Sequence, residues 1–158
     1  MAIQPAASRM VHSNHSRKVF QLLNTFGIKK KTMPINAMIT EDDLLSRAML
    51  CDLLEDYFPE INIIGMAETV KDSLQLLEDH KIDLLFLDIE LPDGNGFEIL
   101  TGPGKKDFGL IITTAYDTDA ITPPPFNLVG LIAKPVTLPA LRNAMQIYLH
   151  QSQIHHTV

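Results

Sequence analysis

A doubly wound α/β fold on a five-stranded parallel sheet is what this sequence predicts, and three observations carry the prediction. Five short apolar runs occupy 35–39, 61–66, 82–87, 109–113 and 128–133. Each is continuous rather than alternating, as strands covered on both faces require. Stretches with helical spacing separate the runs, so strand and helix alternate in the way that builds a parallel sheet with crossover helices. Polar residues stand at the C-terminal ends of four places in this pattern: Glu41 and Asp42, Asp88, Thr114, and Lys134. Open α/β sheets bind their ligands at that edge.

The helical stretches differ in quality. Residues 43–58 set Leu45, Met49 and Leu53 beside Leu50, Leu54 and Phe58, which reads as one broad apolar face. Cys51 lies within it and reads as a small buried hydrophobe. Residues 69–79 place Val70, Leu74 and Leu77 on one side, with Thr69 able to cap. Residues 137–150 do the same with Leu138, Leu141, Met145 and Tyr148 behind Thr137. The other two crossovers are damaged. Thr101-Gly102-Pro103-Gly104 should end the third helix within two turns. The fourth would fill 117–127, which holds Pro123-Pro124-Pro125. One interior proline costs a helix about 3 kcal/mol. The expectation is at most one helical turn before Pro123, then a polyproline-like loop that exposes apolar rings near Phe126.

At 158 residues the chain is long enough for one domain with a real core. It is 46% hydrophobic and 20% charged, an ordinary globular balance. No apolar stretch approaches the roughly 20 residues of a membrane span. A single cysteine excludes an intrachain disulfide and a cysteine-based zinc cluster. Charge is unevenly divided. Residues 1–33 carry six basic residues (Arg9, Arg17, Lys18, Lys29, Lys30, Lys31) and no acidic one. The other seven basic residues face all 19 acidic ones, a net charge of −12 for 34–158. So acidic a body argues against binding a nucleic-acid backbone, and no basic recognition helix follows it.

Three carboxylates, an ammonium and a hydroxyl at strand ends suggest a metal-assisted phosphoryl acceptor. Two carboxylates about 4 Å apart repel by roughly 1–4 kcal/mol. A divalent cation turns that repulsion into binding, and hard oxygen donors suit Mg²⁺. Each feature alone has a plainer reading. A strand-end aspartate is ordinarily a turn or cap residue, and Glu41-Asp42-Asp43 ahead of a helix can simply compensate its dipole. Their joint occurrence favours the acceptor.

The joint pattern resembles the receiver domain of two-component response regulators, the CheY-like superfamily, and is most similar to receivers that precede LytTR-type domains. The resemblance covers about 34–150. It rests on Met38-Ile39-Thr40-Glu41-Asp42-Asp43, on Leu85-Phe86-Leu87-Asp88-Ile89-Glu90-Leu91-Pro92-Asp93-Gly94-Asn95-Gly96, on Ile111-Ile112-Thr113-Thr114-Ala115-Tyr116-Asp117, and on Ala133-Lys134-Pro135. It implies a flavodoxin-like strand order of 2-1-3-4-5 and phosphorylation of Asp88 by a histidine kinase or phosphotransfer protein. It implies Mg²⁺ held by Asp42, Asp88 and the backbone carbonyl of Glu90, with Glu41 acting through water. Lys134 would pair with the phosphoryl oxygens, Thr114 would be the switch hydroxyl, and Glu90 and Tyr116 would tune acyl-phosphate lifetime. The Lys134–Pro135 bond is expected to be cis. One position departs from the family: Leu131 stands three residues before Lys134, where a tyrosine or phenylalanine is usual.

The domain organisation read from these features is a basic, disordered extension over 1–33, a receiver over 34–151, and a tail over 152–158. The extension admits other readings: an upstream start with Met33 the natural first residue, a targeting peptide, or a docking segment in which Val19, Leu22, Leu23 and Phe26 form an apolar stripe. His12 and His15 have no further metal ligands near them in sequence. The expected function is a regulatory phosphoacceptor, not an enzyme, that is cytoplasmic and signals by protein contact to an unknown downstream protein. A weak homodimer is left open. The alternatives are a non-switching module with the same fold, or a fragment of a longer regulator. A haloacid-dehalogenase-type phosphatase is disfavoured, because it needs an aspartate where Glu90 stands.

Overall fold

The computed structural model describes residues 33–103 and 106–155. The segment 1–32, with its basic residues and histidines, lies outside the described residues, so the expectation of disorder there is untouched. Strand β1 (Ile35–Thr40) leads to helix α1 (Leu44–Tyr57), then β2 (Ile61–Ala67), α2 (Val70–Asp79) and β3 (Leu84–Asp88). A small antiparallel ribbon follows, Glu90–Leu91 against Gly94–Asn95, and then the one-turn helix α3 (Glu98–Thr101). Strand β4 (Gly109–Thr114), a 3₁₀ turn (Thr118–Ala120), β5 (Leu128–Ala133) and α4 (Leu138–His155) complete the order. The five long strands pair in parallel in the order β2-β1-β3-β4-β5, as the sequence predicts.

Alternation along the buried strands divides the core in two. Ala37, Ile39, Leu84, Phe86 and Ile111 face Leu50 and Leu54 of α1 and Leu141, Ala144 and Met145 of α4. Met38, Leu85, Leu87, Leu110 and Ile112 face Val70 of α2, Ile99 and Leu100 of α3, and Phe108. Thr69 caps α2 by accepting from the Asp72 N–H at 3.0 Å, as expected.

Several expectations are corrected. The broad apolar face read on α1 is divided: Leu50, Leu54 and Phe58 are buried, but Leu45 is 68% and Met49 41% exposed. Successive helical residues turn by about 100°, so Leu45 and Met49 point well away from the sheet. Cys51 is only half-buried, with its thiol 3.8 Å from Met66 Sδ. The last helix runs to His155, into the segment read as tail, because no glycine or proline interrupts 150–155.

The damaged crossovers behave as predicted. Helix α3 has four residues and ends at Gly102. Only the 3₁₀ turn at Thr118–Ala120, capped by Asp117, precedes Pro123. The loop is not splayed open, however. Ile121 and Phe126 pack on the second core cluster, and the Phe126 ring lies 5.2 Å from that of Phe108. Apolar anchoring at both ends holds down a segment that cannot form its own backbone hydrogen bonds.

Candidate functional site

The C-terminal edge of the sheet gathers Glu41, Asp42, Asp88, Thr114 and Lys134, the strand-end polar residues of the sequence pattern. Asp88 is the last residue of β3 and is buried. Glu41 and Asp42 follow β1, the first buried and the second exposed. Thr114 closes β4 with no exposed surface, and Lys134 follows β5. Carboxylate oxygens of Glu41, Asp42 and Asp88 lie within 4.8 Å of one another. The Lys134 ammonium stands 2.6 Å from Asp88 Oδ2 and 2.6 Å from Glu41 Oε2. The Lys134–Pro135 peptide is cis.

Local structure fixes each group. Glu41 Oε1 accepts from the Asp43 N–H at 3.0 Å, and the Glu41 carbonyl accepts from Arg47 Nη1 at 2.6 Å. Arg47 is held in turn by Glu68 at 2.9 Å. Asp88 Oδ1 accepts from the Glu90 N–H at 3.1 Å. Thr114 Oγ1 accepts from the Tyr116 N–H at 3.0 Å. The Tyr116 hydroxyl donates to the Glu90 carboxylate, joining the loops after β3 and β4. A Cβ on Gly96 would run into the Asp88 carbonyl oxygen and touch Leu87, so the ribbon returns this close to β3 only with glycine there.

Electrostatics follows from burial and pairing. Burial lifts the Glu41 carboxyl above its ordinary 4.5; the Lys134 hydrogen bond opposes this, and the charge of Asp88 adds to it. Burial also works against a charged Lys134, but hydrogen bonds to Asp88 and Glu41 outweigh it and hold the ammonium above its ordinary 10.5. The Glu90 carboxylate raises the Tyr116 phenol. One ammonium between two buried carboxylates, with a third beside them, leaves an excess of negative charge. That donor set, all hard oxygens, fits Mg²⁺.

Sequence reading missed three supports. Arg47 clamps the Glu41 backbone from six residues away. Asp93 caps α2 from the loop after β3, accepting from Val70 N at 2.7 Å and Lys71 N at 3.0 Å, and those bonds hold its carboxyl below the ordinary range. Thr40 and Ser73 share a buried hydroxyl–hydroxyl bond of 2.9 Å between β1 and α2. No local pattern signals these contacts. Asp93 looks like a turn residue of Pro92-Asp93-Gly94, and its helix begins 23 residues earlier.

Residues 37–146 match the family model for the response regulator receiver domain. This chain belongs to the response regulator receiver family. Over 121 residues the receiver is 34% identical to the sensory transduction protein LytT of Bacillus anthracis, covering 75% of this chain and 49% of the relative. It is 28% identical over 130 residues to the transcriptional regulatory protein MalR of Bacillus subtilis, covering 78% of this chain and 54% of MalR. The chain thus spans about half the length of these relatives. In structure it is similar to the response regulatory domain of MrkE from Klebsiella pneumoniae, with a TM-score of 0.63 at 22% identity, covering 75% of this chain and 99% of that one. A receiver from a modulated diguanylate cyclase of Desulfovibrio desulfuricans G20 gives 0.64 at 22% identity, covering 77% and 98%.

Receivers are regulatory phosphoacceptors of two-component systems that bind Mg²⁺ through acidic residues and work with histidine kinases and downstream effectors. That reading, rather than a non-switching scaffold, is the one these relationships favour. Among the described residues, no helix is long and apolar enough to cross a membrane.

Proposed function

We propose that Asp88 is the phosphoryl acceptor of this receiver and that the charge cluster around it drives the transfer. The observation that carries this is the Lys134 ammonium, 2.6 Å from both Asp88 and Glu41, beside a cluster of three carboxylates. An Asp88 carboxylate oxygen attacks the phosphorus of a phosphohistidine on a kinase or phosphotransfer protein. The phosphorus–nitrogen bond breaks, the histidine nitrogen leaves with the bonding pair, and an acyl phosphate forms. Mg²⁺, when bound, neutralises charge on the phosphoryl oxygens. Its direct ligands in this reading are Asp42, Asp88 and the Glu90 backbone carbonyl, with Glu41 contributing through water.

The protein groups divide the remaining work. Lys134 pairs with the phosphoryl oxygens as a flexible point charge. Thr114 is the switch hydroxyl: its oxygen accepts from the Tyr116 N–H, while its proton remains available to a phosphoryl oxygen. Glu90 and Tyr116 tune acyl-phosphate lifetime from above the site. Leu44 and Leu45 are 72% and 68% exposed at the start of α1. Met49 lines a small hollow shared with Glu41, Lys134 and Pro135. This apolar collar suits contact with a partner that delivers the phosphoryl group. Output passes by protein contact to a downstream partner, and the acidic receiver itself binds no nucleic acid. We place the protein in the cytoplasm, where a kinase transmitter would meet it.

Incubation of the full chain with Mg²⁺ and acetyl phosphate, read by intact mass, tests the assignment. One phosphoryl group on the wild type and none on Asp88→Asn is the expected result. Equal labelling of Asp88→Asn would overturn it.

A further inference from the structure

The first turn of α2 is bonded on two sides, inward to the sheet and outward to the ribbon after β3. On the inner side Ser73 is fully buried, and its hydroxyl donates to the Thr69 carbonyl at 2.7 Å. A hydroxyl has one proton to give, so the Thr40 hydroxyl is the donor in the 2.9 Å bond between Thr40 and Ser73. Thr40 ends β1, and Glu41 and Asp42 follow it directly. On the outer side the two oxygens of Asp93 accept from successive N–H groups at the helix start, Val70 at 2.7 Å and Lys71 at 3.0 Å. Thr69 Oγ1 takes the next one, from Asp72.

Of the two partners, the ribbon is the more dependent on these bonds. Helix α2 has its own cap in Thr69, and water serves exposed donors at a helix start. The ribbon has strands of two residues each, Glu90–Leu91 and Gly94–Asn95, and a pair that small does not hold itself in water. Its base is fixed, because the Gly96 N–H donates to the Ile89 carbonyl at 2.8 Å and the Asn95 N–H to Glu98 Oε1 at 2.9 Å. Asp93 lies in the turn at its tip and ties that end to α2. Bonds from a carboxylate to N–H groups at the positive end of a helix are of the stronger, charge-assisted kind. The Glu90 carbonyl lies between base and tip. Asp88 ends a buried strand and Asp42 follows one closely, so the sheet places both; the Glu90 carbonyl has only the ribbon.

We infer that Asp93 is a positioning residue for the metal site: by pinning the tip of the ribbon to α2, it fixes the Glu90 carbonyl relative to Asp42 and Asp88. The inference rests on the reading in which that carbonyl and those two carboxylates hold Mg²⁺. The first turn of α2 then serves as a common abutment. Thr40 ties to it the strand end that carries Asp42, and Asp93 ties to it the ribbon that carries Glu90. Mg²⁺ demands near-octahedral oxygen ligands at about 2.1 Å, so a carbonyl that is free to drift binds it less well. Asp93 acts only through Glu90 and touches neither the metal nor the phosphoryl group.

The test titrates Mg²⁺ alone into the full chain and follows it by NMR. Asp93→Ala should raise the Kd by roughly five-fold, less than the loss of a direct ligand in Asp42→Ala. Asp93→Asn keeps one oxygen acceptor and should raise it less. Thr69→Ala removes the helix's own cap but leaves the ribbon tied, and its Kd should stay within about two-fold of the wild type, which separates positioning from a general loosening of α2. Without metal, Asp93→Ala should speed amide hydrogen exchange at Asn95 and Gly96, and Thr69→Ala should not. Phosphorylation of Asp93→Ala by acetyl phosphate should be slow at limiting Mg²⁺ and recover the wild-type rate at saturating Mg²⁺. An unchanged Kd in Asp93→Ala beside a weakened Asp42→Ala would overturn the inference and leave the metal reading standing. So would unchanged ribbon exchange, equal weakening by Thr69→Ala, or a rate that stays low at saturating Mg²⁺. Equal Kd values for Asp42→Ala and the wild type would sink the metal reading, and this inference with it.

Discussion

Lys134 and Asp88, 46 residues apart in the chain, meet at 2.6 Å at the edge of the sheet. The same ammonium holds Glu41, so one cation spans the ends of β1, β3 and β5. In the proposed metal site, this ammonium and a divalent cation would both draw on Asp88.

That competition makes two substitutions act in opposite directions. Lys134→Met removes a competing charge and should tighten Mg²⁺ binding by about 1 kcal/mol, roughly five-fold. It should also slow phosphorylation from acetyl phosphate by on the order of 100-fold, as loss of a charge aimed at the transferring group does. Asp42→Ala should weaken Mg²⁺ binding about tenfold. Titration of Mg²⁺ followed by NMR separates them; equal affinities in both variants would contradict the shared-carboxylate picture.

The Tyr116–Glu90 bond crosses the mouth of the site. Tyr116→Phe removes the donor and frees the Glu90 carboxylate, loosening the two loops. The acyl phosphate should then hydrolyse faster, on the order of several-fold, because the loops exclude water less well. The decay rate of phosphorylated protein after removal of acetyl phosphate measures this. Glu90→Gln, which keeps a hydrogen-bonding partner for Tyr116, should change it less.

Gly96→Ala should destabilise the fold by about 1–3 kcal/mol, since the new methyl group meets the Asp88 carbonyl and the Leu87 side chain. Urea unfolding gives the value. Phosphorylation should fall as well, because relief of the clash moves the backbone of Asp88, the proposed acceptor.

Tyr148 sets an alkaline limit. Its hydroxyl donates to the Asp83 carbonyl at 3.2 Å, and burial, with the charge of Asp83 adding, pushes its pKa up to about 12 from 10. The folded state therefore holds this proton more tightly than the unfolded state. The stabilisation is complete below pH 10 and is lost as the pH rises to 12. The full linkage would be near 2.7 kcal/mol, and with the ring only half-buried about 1–2 kcal/mol is expected. Urea midpoints at pH 9, 10 and 11 should fall for the wild type and fall less steeply for Tyr148→Phe.

The loop after β4 bears on assembly. Its one 3₁₀ turn and the Pro123-Pro124-Pro125 segment leave no regular helix on that face. Beryllofluoride with Mg²⁺ should therefore not drive dimerisation through 118–127. Light scattering with and without beryllofluoride, repeated on Thr122→Glu, checks this. An activated dimer abolished by Thr122→Glu would refute it.

The sequence alone determined a good deal of this protein. Continuous runs such as Leu84-Leu85-Phe86-Leu87 are tolerable only where both faces of a strand are covered, and that settled a parallel sheet with helices on either side. Glu41, Asp42, Asp88, Thr114 and Lys134 were legible because each ends or follows a strand, and parallel strands bring those ends to one edge. The failure of the fourth crossover helix was legible because proline acts on its own backbone.

What only the tertiary structure decided concerns contacts between segments distant in sequence. Helical spacing shows which residues share a stripe but not how much of it a neighbour covers, so Leu45 and Met49 of α1 turned out exposed. The reach of Arg47 to the Glu41 carbonyl and of Asp93 to the start of α2 leaves no periodic trace. The seating of Phe126 on Phe108, and the division of Lys134 between Glu41 and Asp88, depend on packing and charge balance in three dimensions. Local pattern reports backbone conformation and strand ends; which side chains meet there, and in what charge state, is set by burial that only the assembled fold creates.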